Sequence, residues 1–241
     1  MTNPPQQPPV PAVPPQPTAP PGTPNQPAQI PPAVAQQLLG ALQQQAAMTQ
    51  PVHYVSFSAE VNAQTIESLL ALCANIINQS KPQSIYLILA TPGGQVSYGI
   101  TAYNVLRSLP VKLITHNAGA VDSIGNVIFL AGEERYACAN SSFMFHGVGF
   151  DTGGQQMRLE RKLLRERIES LEADERKIAS IITERTDMTR EEVEQSFLEQ
   201  VTRDPHFARS KRIVHDIRDI QIPTGAPIYQ LVFQRQGVVV R

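Results

Sequence analysis

The sequence of this 241-residue chain predicts an α/β fold with a mainly parallel sheet, on the strength of three features. The stretch Ser84 to Ala90 is almost continuously apolar (Ile85, Tyr86, Leu87, Ile88, Leu89), as a strand covered on both faces requires. Segments of strand and helix character alternate from Val52 to Leu130. The turn Thr91-Pro92-Gly93-Gly94 separates the apolar strand from the helix after it, so the repeating unit reads as a right-handed crossover.

Val52 to Phe57 alternates in polarity and predicts the first strand, and Asn62 to Asn78 places Ile66, Leu69, Leu70, Cys73, Ile76 and Ile77 on one helical face. After the apolar strand, Val96 to Leu109 predicts a helix and Val111 to Thr115 a strand. A Gly-bounded segment then leads into Ser123 to Leu130. Short strands are expected around Arg135 to Cys138 and Ser142 to His146. Gly153-Gly154 precedes a long charged helix from about Gln155 to Glu184, whose apolar stripe (Leu164, Ile168, Leu171, Ile178, Ile182) has to pack on something. Thr189 with Glu192 three residues later is a capping box opening a helix to about Gln200. A helix near Ala208 to His215, a strand at Ile217 to Ile222 and a terminal strand within Gln230 to Val240 complete the order, with no internal repeat.

The composition changes at about residue 50. Residues 1–50 hold 14 of the 21 prolines and 11 glutamines and no Asp, Glu, Lys or Arg. Such a segment has too little apolar surface to offset chain entropy and is expected to be a disordered, polyproline-like arm, a spacer rather than a secretory signal. Residues 51–241 carry all 20 basic and all 21 acidic side chains and make one ordinary domain. A net charge of -1 with no basic stripe leaves no electrostatic footprint for nucleic acid. Cys73 and Cys138 lack metal-ligand spacing and read as buried free thiols in a reducing compartment. There is no apolar run of 18 residues to span a membrane, no metal or cofactor is required, and the expected location is the cytoplasm.

The residues that point to chemistry are a serine and a histidine. Ser123 stands in Gly119-Ala120-Val121-Asp122-Ser123-Ile124-Gly125, at a strand-to-helix turn where small residues let a substrate approach the backbone. Taken alone it reads as a helix cap. The sequence is not a Gly-x-Ser-x-Gly elbow, and a Ser, His, Asp order departs from the Ser, Asp, His order of the α/β-hydrolases. His146 ends the apolar run Phe143-Met144-Phe145 and alone reads as a satisfied core histidine. His116, His206 and His215 read as surface or helix residues. For a third, acidic member, Asp204, Asp216 and Asp219 stand open.

Four blocks in this order, Ala90 to Gly94, Gly119 to Gly125, Asn140 to His146 and Thr202-Arg203-Asp204, resemble the proteolytic subunit of the ATP-dependent Clp protease over about Val52 to Ile222. The resemblance implies a Clp/crotonase-like fold with a protruding handle helix at about 150–186. It further implies a serine endopeptidase that cuts peptides or unfolded chains inside a homo-oligomer of stacked rings. Residue by residue it implies Ser123 as nucleophile, His146 as general base, Asp204 as the orienting carboxylate, and the backbone N–H groups of Gly93 and Ile124 as the oxyanion hole. A neutral serine hydroxyl needs such a base, and the oxyanion needs fixed donors. Asp122 is a departure: the family has a small neutral residue there, and a carboxylate at that place perturbs His146 or points to solvent. Gly147 and Asp216 are further departures. The alternatives are an inactive Clp-like scaffold subunit and a crotonase-type acyl-CoA enzyme. Residues 1–50 match none of the family's axial loops, which leaves engagement of a Clp-type ATPase open.

Overall fold

The computed structural model describes residues 31, 33–38, 40, 52–149 and 160–233. The chain divides into two compact units, Met1–Leu42 and Gln43–Arg241. Of the expected arm, only residue 31, a helical stretch at 33–38 and residue 40 are described.

The larger unit is the expected α/β alternation: β1 (Val52–Ser58), α1 (Ala63–Ser80), β2 (Ser84–Thr91), α2 (Val96–Arg107), β3 (Lys112–Asp122), α3 (Gly125–Phe129), β4 (Glu134–Ala137), β5 (Ser142–Met144), α4 (Arg161–Arg185), α5 (Arg190–Glu199), β6 (Thr202–Arg203), α6 (Pro205–Ser210), β7 (Asp216–Ile217) and β8 (Ile228–Gln230). The sheet runs β6-β5-β3-β2-β1-β8, with β4 pairing β3 and β7 beyond it. Every pairing is parallel except β5 with β6. Val55, Phe57, Ile85, Leu87 and Leu89 from the sheet join Ile66, Leu69, Cys73 and Ile76 of α1 in one fully buried core. Helix α1 starts where Asn62 and Thr65 close a capping box and stops where Lys81 turns into the left-handed region. The Thr189–Glu192 box opens α5 as the spacing predicts.

Strand β3 differs most from expectation. Instead of stopping at Thr115 it continues to Asp122, because a bulge carries it past Gly119. Between Leu89 and Thr91 of β2 the partners on β3 jump from Asn117 to Val121. Fully buried Asn117 holds the bulge, accepting from the Gly119 amide (3.0 Å) and donating to the Ser142 carbonyl (2.7 Å). Its first half, Ile114 to Asn117, pairs β4 and its second half, Ala120 to Asp122, pairs β5, so the sheet forks along one strand.

Other boundaries move for local reasons. Helix α6 starts at Pro205, not Ala208, because Asp204 caps it and proline is accommodated at the first helical position. Strand β7 is shorter than expected, and β8 lies ahead of the expected terminal strand, sharing only Gln230 with it; residues 231–233 are not strand, and 234–240 lie outside the described residues. The handle is described from Arg161, so Gly153-Gly154 and the predicted helix start near Gln155 lie outside as well.

Candidate active site

Ser123 is the first residue after β3, in the left-handed region at φ 57°. Its amide still donates to the Met144 carbonyl (2.9 Å), so the β3–β5 ladder runs one residue past the strand. The buried Asn126 amide clamps the turn, donating to the carbonyls of Ser123 (3.0 Å) and Met144 (2.8 Å). Helix α3 then leaves at once into the core, where all five of its residues are buried.

The Pro-Gly-Gly turn lies directly against this elbow. Gly93 is at φ 87°, and a Cβ there would stand 2.5 Å from Ser123 Cβ and 2.8 Å from the Asp122 carbonyl oxygen, so glycine is required by both conformation and space. The Gly93 amide donates to Thr91 Oγ1 (3.1 Å), whose hydroxyl in turn donates to the Ala59 carbonyl. It is the neighbouring Gly94 that lines the cleft beside Ser123. The Gly93 amide, expected as an oxyanion donor, thus bonds within its own turn, and Gly94 is the glycine of the pair that lines the cleft.

A cleft of about 400 Å³ brings Ser123, Ile124, Gly94 and His146 together above an apolar floor of Phe145, Ile178, Ile182 and Phe197. His146 follows β5, and the chain beyond it is pinned: Gly147 donates to the Phe197 carbonyl (3.1 Å) and Val148 to Glu175 Oε1 (3.0 Å).

Asp204 is not brought to the cleft. Strands β5 and β6 are antiparallel, with Met144 opposite Thr202 and Phe143 opposite Arg203. Asp204 follows Arg203, so the antiparallel pairing carries it toward the Ser142 end of β5 and away from His146, and it is not among the residues that line the cleft. The Asp204 carboxylate instead accepts from the Phe207 amide (2.7 Å) as the N-cap of α6. The other open candidates, Asp216 and Asp219, lie in and beyond β7, which pairs β4. The carboxylate that senses His146 is Asp122: burial raises its pKa, while the histidine's charge and a backbone hydrogen bond from Met144 pull it back down.

The remaining histidines stand apart from this chemistry. His116, expected at the surface or on a helix, is fully buried in β3, with Nδ1 2.6 Å from the Tyr86 hydroxyl and Nε2 3.0 Å from the Arg218 carbonyl. Burial pushes its pKa down to about 4. His215 accepts the Arg135 amide at Nδ1 (3.1 Å). Cys73 and Cys138 are free thiols, and burial raises Cys73 to about 12. Among the described residues no group of three His, Cys, Asp or Glu side chains has the arrangement of a metal site, and no helix is long and apolar enough to cross a membrane.

Comparison with known proteins agrees with this architecture. A proteolytic subunit of the ATP-dependent Clp protease of Cyanophora paradoxa is 31% identical over 94 residues, covering 38% of this chain and 48% of that protein. Proteolytic subunit 1 of Corynebacterium jeikeium is 27% identical over 138 residues, covering 55% and 66%. The chain thus spans from about half to two thirds of the length of these relatives. A solved structure of a ClpP1 point mutant from Listeria monocytogenes superimposes with a TM-score of 0.62 at 18% identity, over 75% of this chain and 97% of that one, which shows a common fold. The family model described as Clp protease matches residues 41–215, and the chain belongs to that family.

Proposed function

We propose that this protein is a serine endopeptidase in which Ser123 is the nucleophile and His146 the general base. The observation that supports it best is the shared cleft: Ser123 on a left-handed elbow, His146 across from it, and the Ile124 and Gly94 backbone at its rim. In this reading Ser123 Oγ adds to the scissile carbonyl while its proton passes to the imidazole. The oxyanion is received by backbone N–H groups of Ile124 and of the Gly93–Gly94 turn. The proton then goes to the leaving amine, and water, activated by the same imidazole, releases the acyl group from Ser123. The apolar floor of Phe145, Ile178, Ile182 and Phe197 fits a substrate side chain beside the reacting bond.

We further propose that copies assemble through the α4 handle, where Leu164 and Ile168 are exposed one turn apart, and that substrates are peptides or unfolded chains admitted to the enclosed space. A cytoplasmic setting and an uncoupled Pro/Gln-rich arm at residues 1–50 complete the reading. Cleavage of short peptides needs no ATPase in it, since the chemistry uses only groups of this chain.

Labelling by a fluorophosphonate probe tests the reading. The wild-type chain is expected to label once, and Ser123→Ala and His146→Ala to lose both labelling and peptidase activity while melting as cooperatively as the parent. Undiminished labelling of Ser123→Ala overturns the assignment. A folded, oligomeric chain that never labels favours the scaffold-subunit reading instead. Light scattering that returns a monomer at micromolar concentration overturns the chamber.

A further inference from the structure

With Asp204 capping α6 and not among the residues lining the cleft that holds His146, the imidazole lacks the carboxylate that the resemblance assigned to it. Asp122 meets the requirement by position. It pairs directly with Met144 in the parallel β3–β5 ladder, two residues before His146. Side chains alternate across a strand, and here Val121, Phe143 and Phe145 all turn into the core. Asp122 and Met144 fall on the opposite face, each half-buried, and His146 follows two residues after Met144 and is half-buried in turn, which sets the carboxylate and the imidazole in neighbouring places beside Ser123. The ladder pairing with Met144, continued by the Ser123 amide on the Met144 carbonyl, fixes the Asp122 backbone in that place. The other charged groups around His146 are otherwise engaged or more distant. Glu175 of α4 accepts the Val148 amide, and Glu172, Arg176, Arg190 and Glu194 line a separate hollow beyond Gly147.

We propose that Asp122 is the positioning carboxylate of this site, orienting the His146 imidazole and balancing the positive charge it takes from Ser123. The inference rests on the peptidase reading above. As Oγ attacks, the proton moves to the imidazole and the ring becomes a cation facing an ionised Asp122. When the intermediate collapses the proton leaves with the amine, and Asp122 stays ionised throughout. The role normally filled from a distant loop is thus filled by the residue bonded to the nucleophile, so the nucleophile and its base's partner move as one rigid unit.

The test uses the full-length chain. Asp122→Asn keeps the side-chain volume but removes the charge. It is expected to lower kcat and the rate of fluorophosphonate labelling about 10⁴-fold with KM within about threefold, as loss of an orienting carboxylate does. The acid limb of the pH–rate profile should also move to lower pH, because the imidazolium loses its counter-charge. Asp122→Glu, which restores the charge, should recover at least about tenfold of the loss. Glu175→Gln and Asp204→Asn are the opposing arms. If either of them, rather than Asp122→Asn, displaces the acid limb, or if Asp122→Asn labels at the parent rate, the proposal is overturned. A second readout is independent of turnover: in Ser123→Ala, proton NMR should show a low-field imidazole N–H resonance from His146 that disappears when Asp122→Asn is added. A chain that never labels overturns the peptidase reading alone, and persistence of that resonance without Asp122 overturns this one.

Discussion

A methyl group on Gly93 would lie 2.5 Å from Ser123 Cβ, closer than side-chain carbons pack, in a backbone conformation that L-residues resist. Gly93→Ala is therefore expected to lower stability by about 1–3 kcal/mol and to cut fluorophosphonate labelling at least about 100-fold, since one of two parts that meet at the elbow has to move. A chemical-denaturation curve and a labelling time course check the two halves separately. Ser123 carries the complementary strain. A non-glycine residue at φ 57° costs about 1 kcal/mol, so Ser123→Gly should be more stable than Ser123→Ala by roughly that amount, although both are inactive. Equal denaturation midpoints for the two variants would show that the turn stores no strain.

Asp204 shows how an element decides what one residue does. As N-cap of α6 with Pro205 behind it, its carboxylate is worth about 1 kcal/mol to the helix. Asp204→Ala should lose that much in a thermal melt and Asp204→Asn, which still caps, very little. The sequence marked this aspartate by its place in an Arg-Asp pair, but a motif says nothing about strand register, and here the antiparallel pairing of β6 carries the residue toward the Ser142 end of β5. The elements that were legible announced themselves by local chemistry: the apolar run of β2, the helical stripe of α1, the Thr189–Glu192 box of α5. Ser123 and His146 were singled out only by the resemblance of their surrounding blocks, since each alone reads as a helix cap or a core histidine. The far half of β3 was not legible, because polar His116 and Asn117 interrupt its apolar pattern and become acceptable only once Tyr86, Gly119 and Ser142, all distant or on the other side of a bulge, supply their hydrogen bonds. Asp122 stood out as an anomaly beside the nucleophile, and only the β3–β5 pairing gives it a face.

At the scale of the molecule, buried histidines make the fold acid-sensitive. His116 is held near 4 against an ordinary value of 6.5, and burial also lowers His53 and His215. A base held neutral in the folded state contributes its full stability above pH 6.5 and loses it as the pH falls toward 4, because the unfolded chain takes up the proton first. For His116 alone this amounts to about 2 kcal/mol between pH 7.5 and pH 5. Denaturation curves at the two pH values should show a drop of at least that size, and His116→Gln should flatten the dependence even if it lowers the absolute stability. Removal of residues 1–50, which carry no charged side chain and few large apolar ones, is expected to leave the melting temperature unchanged and short-peptide cleavage within about twofold of the parent. Loss of soluble protein on truncation would show that the arm docks. The fork in β3 bears on how the domain breathes. The strands β1, β2 and the first half of β3 are laced by long pairings, whereas the half that ends at Ser123 is held by a three-residue strand, itself paired with one of only two residues. Amide protons at Ala120 to Asp122 and Ser142 to Met144 should accordingly exchange with solvent far sooner than those at Ile85 to Leu89, in a local opening that leaves the rest of the sheet closed. Ser123, the proposed nucleophile, would then sit on the part of the scaffold that detaches first, and a bound peptide that bridged this edge should slow that exchange without altering the global unfolding rate.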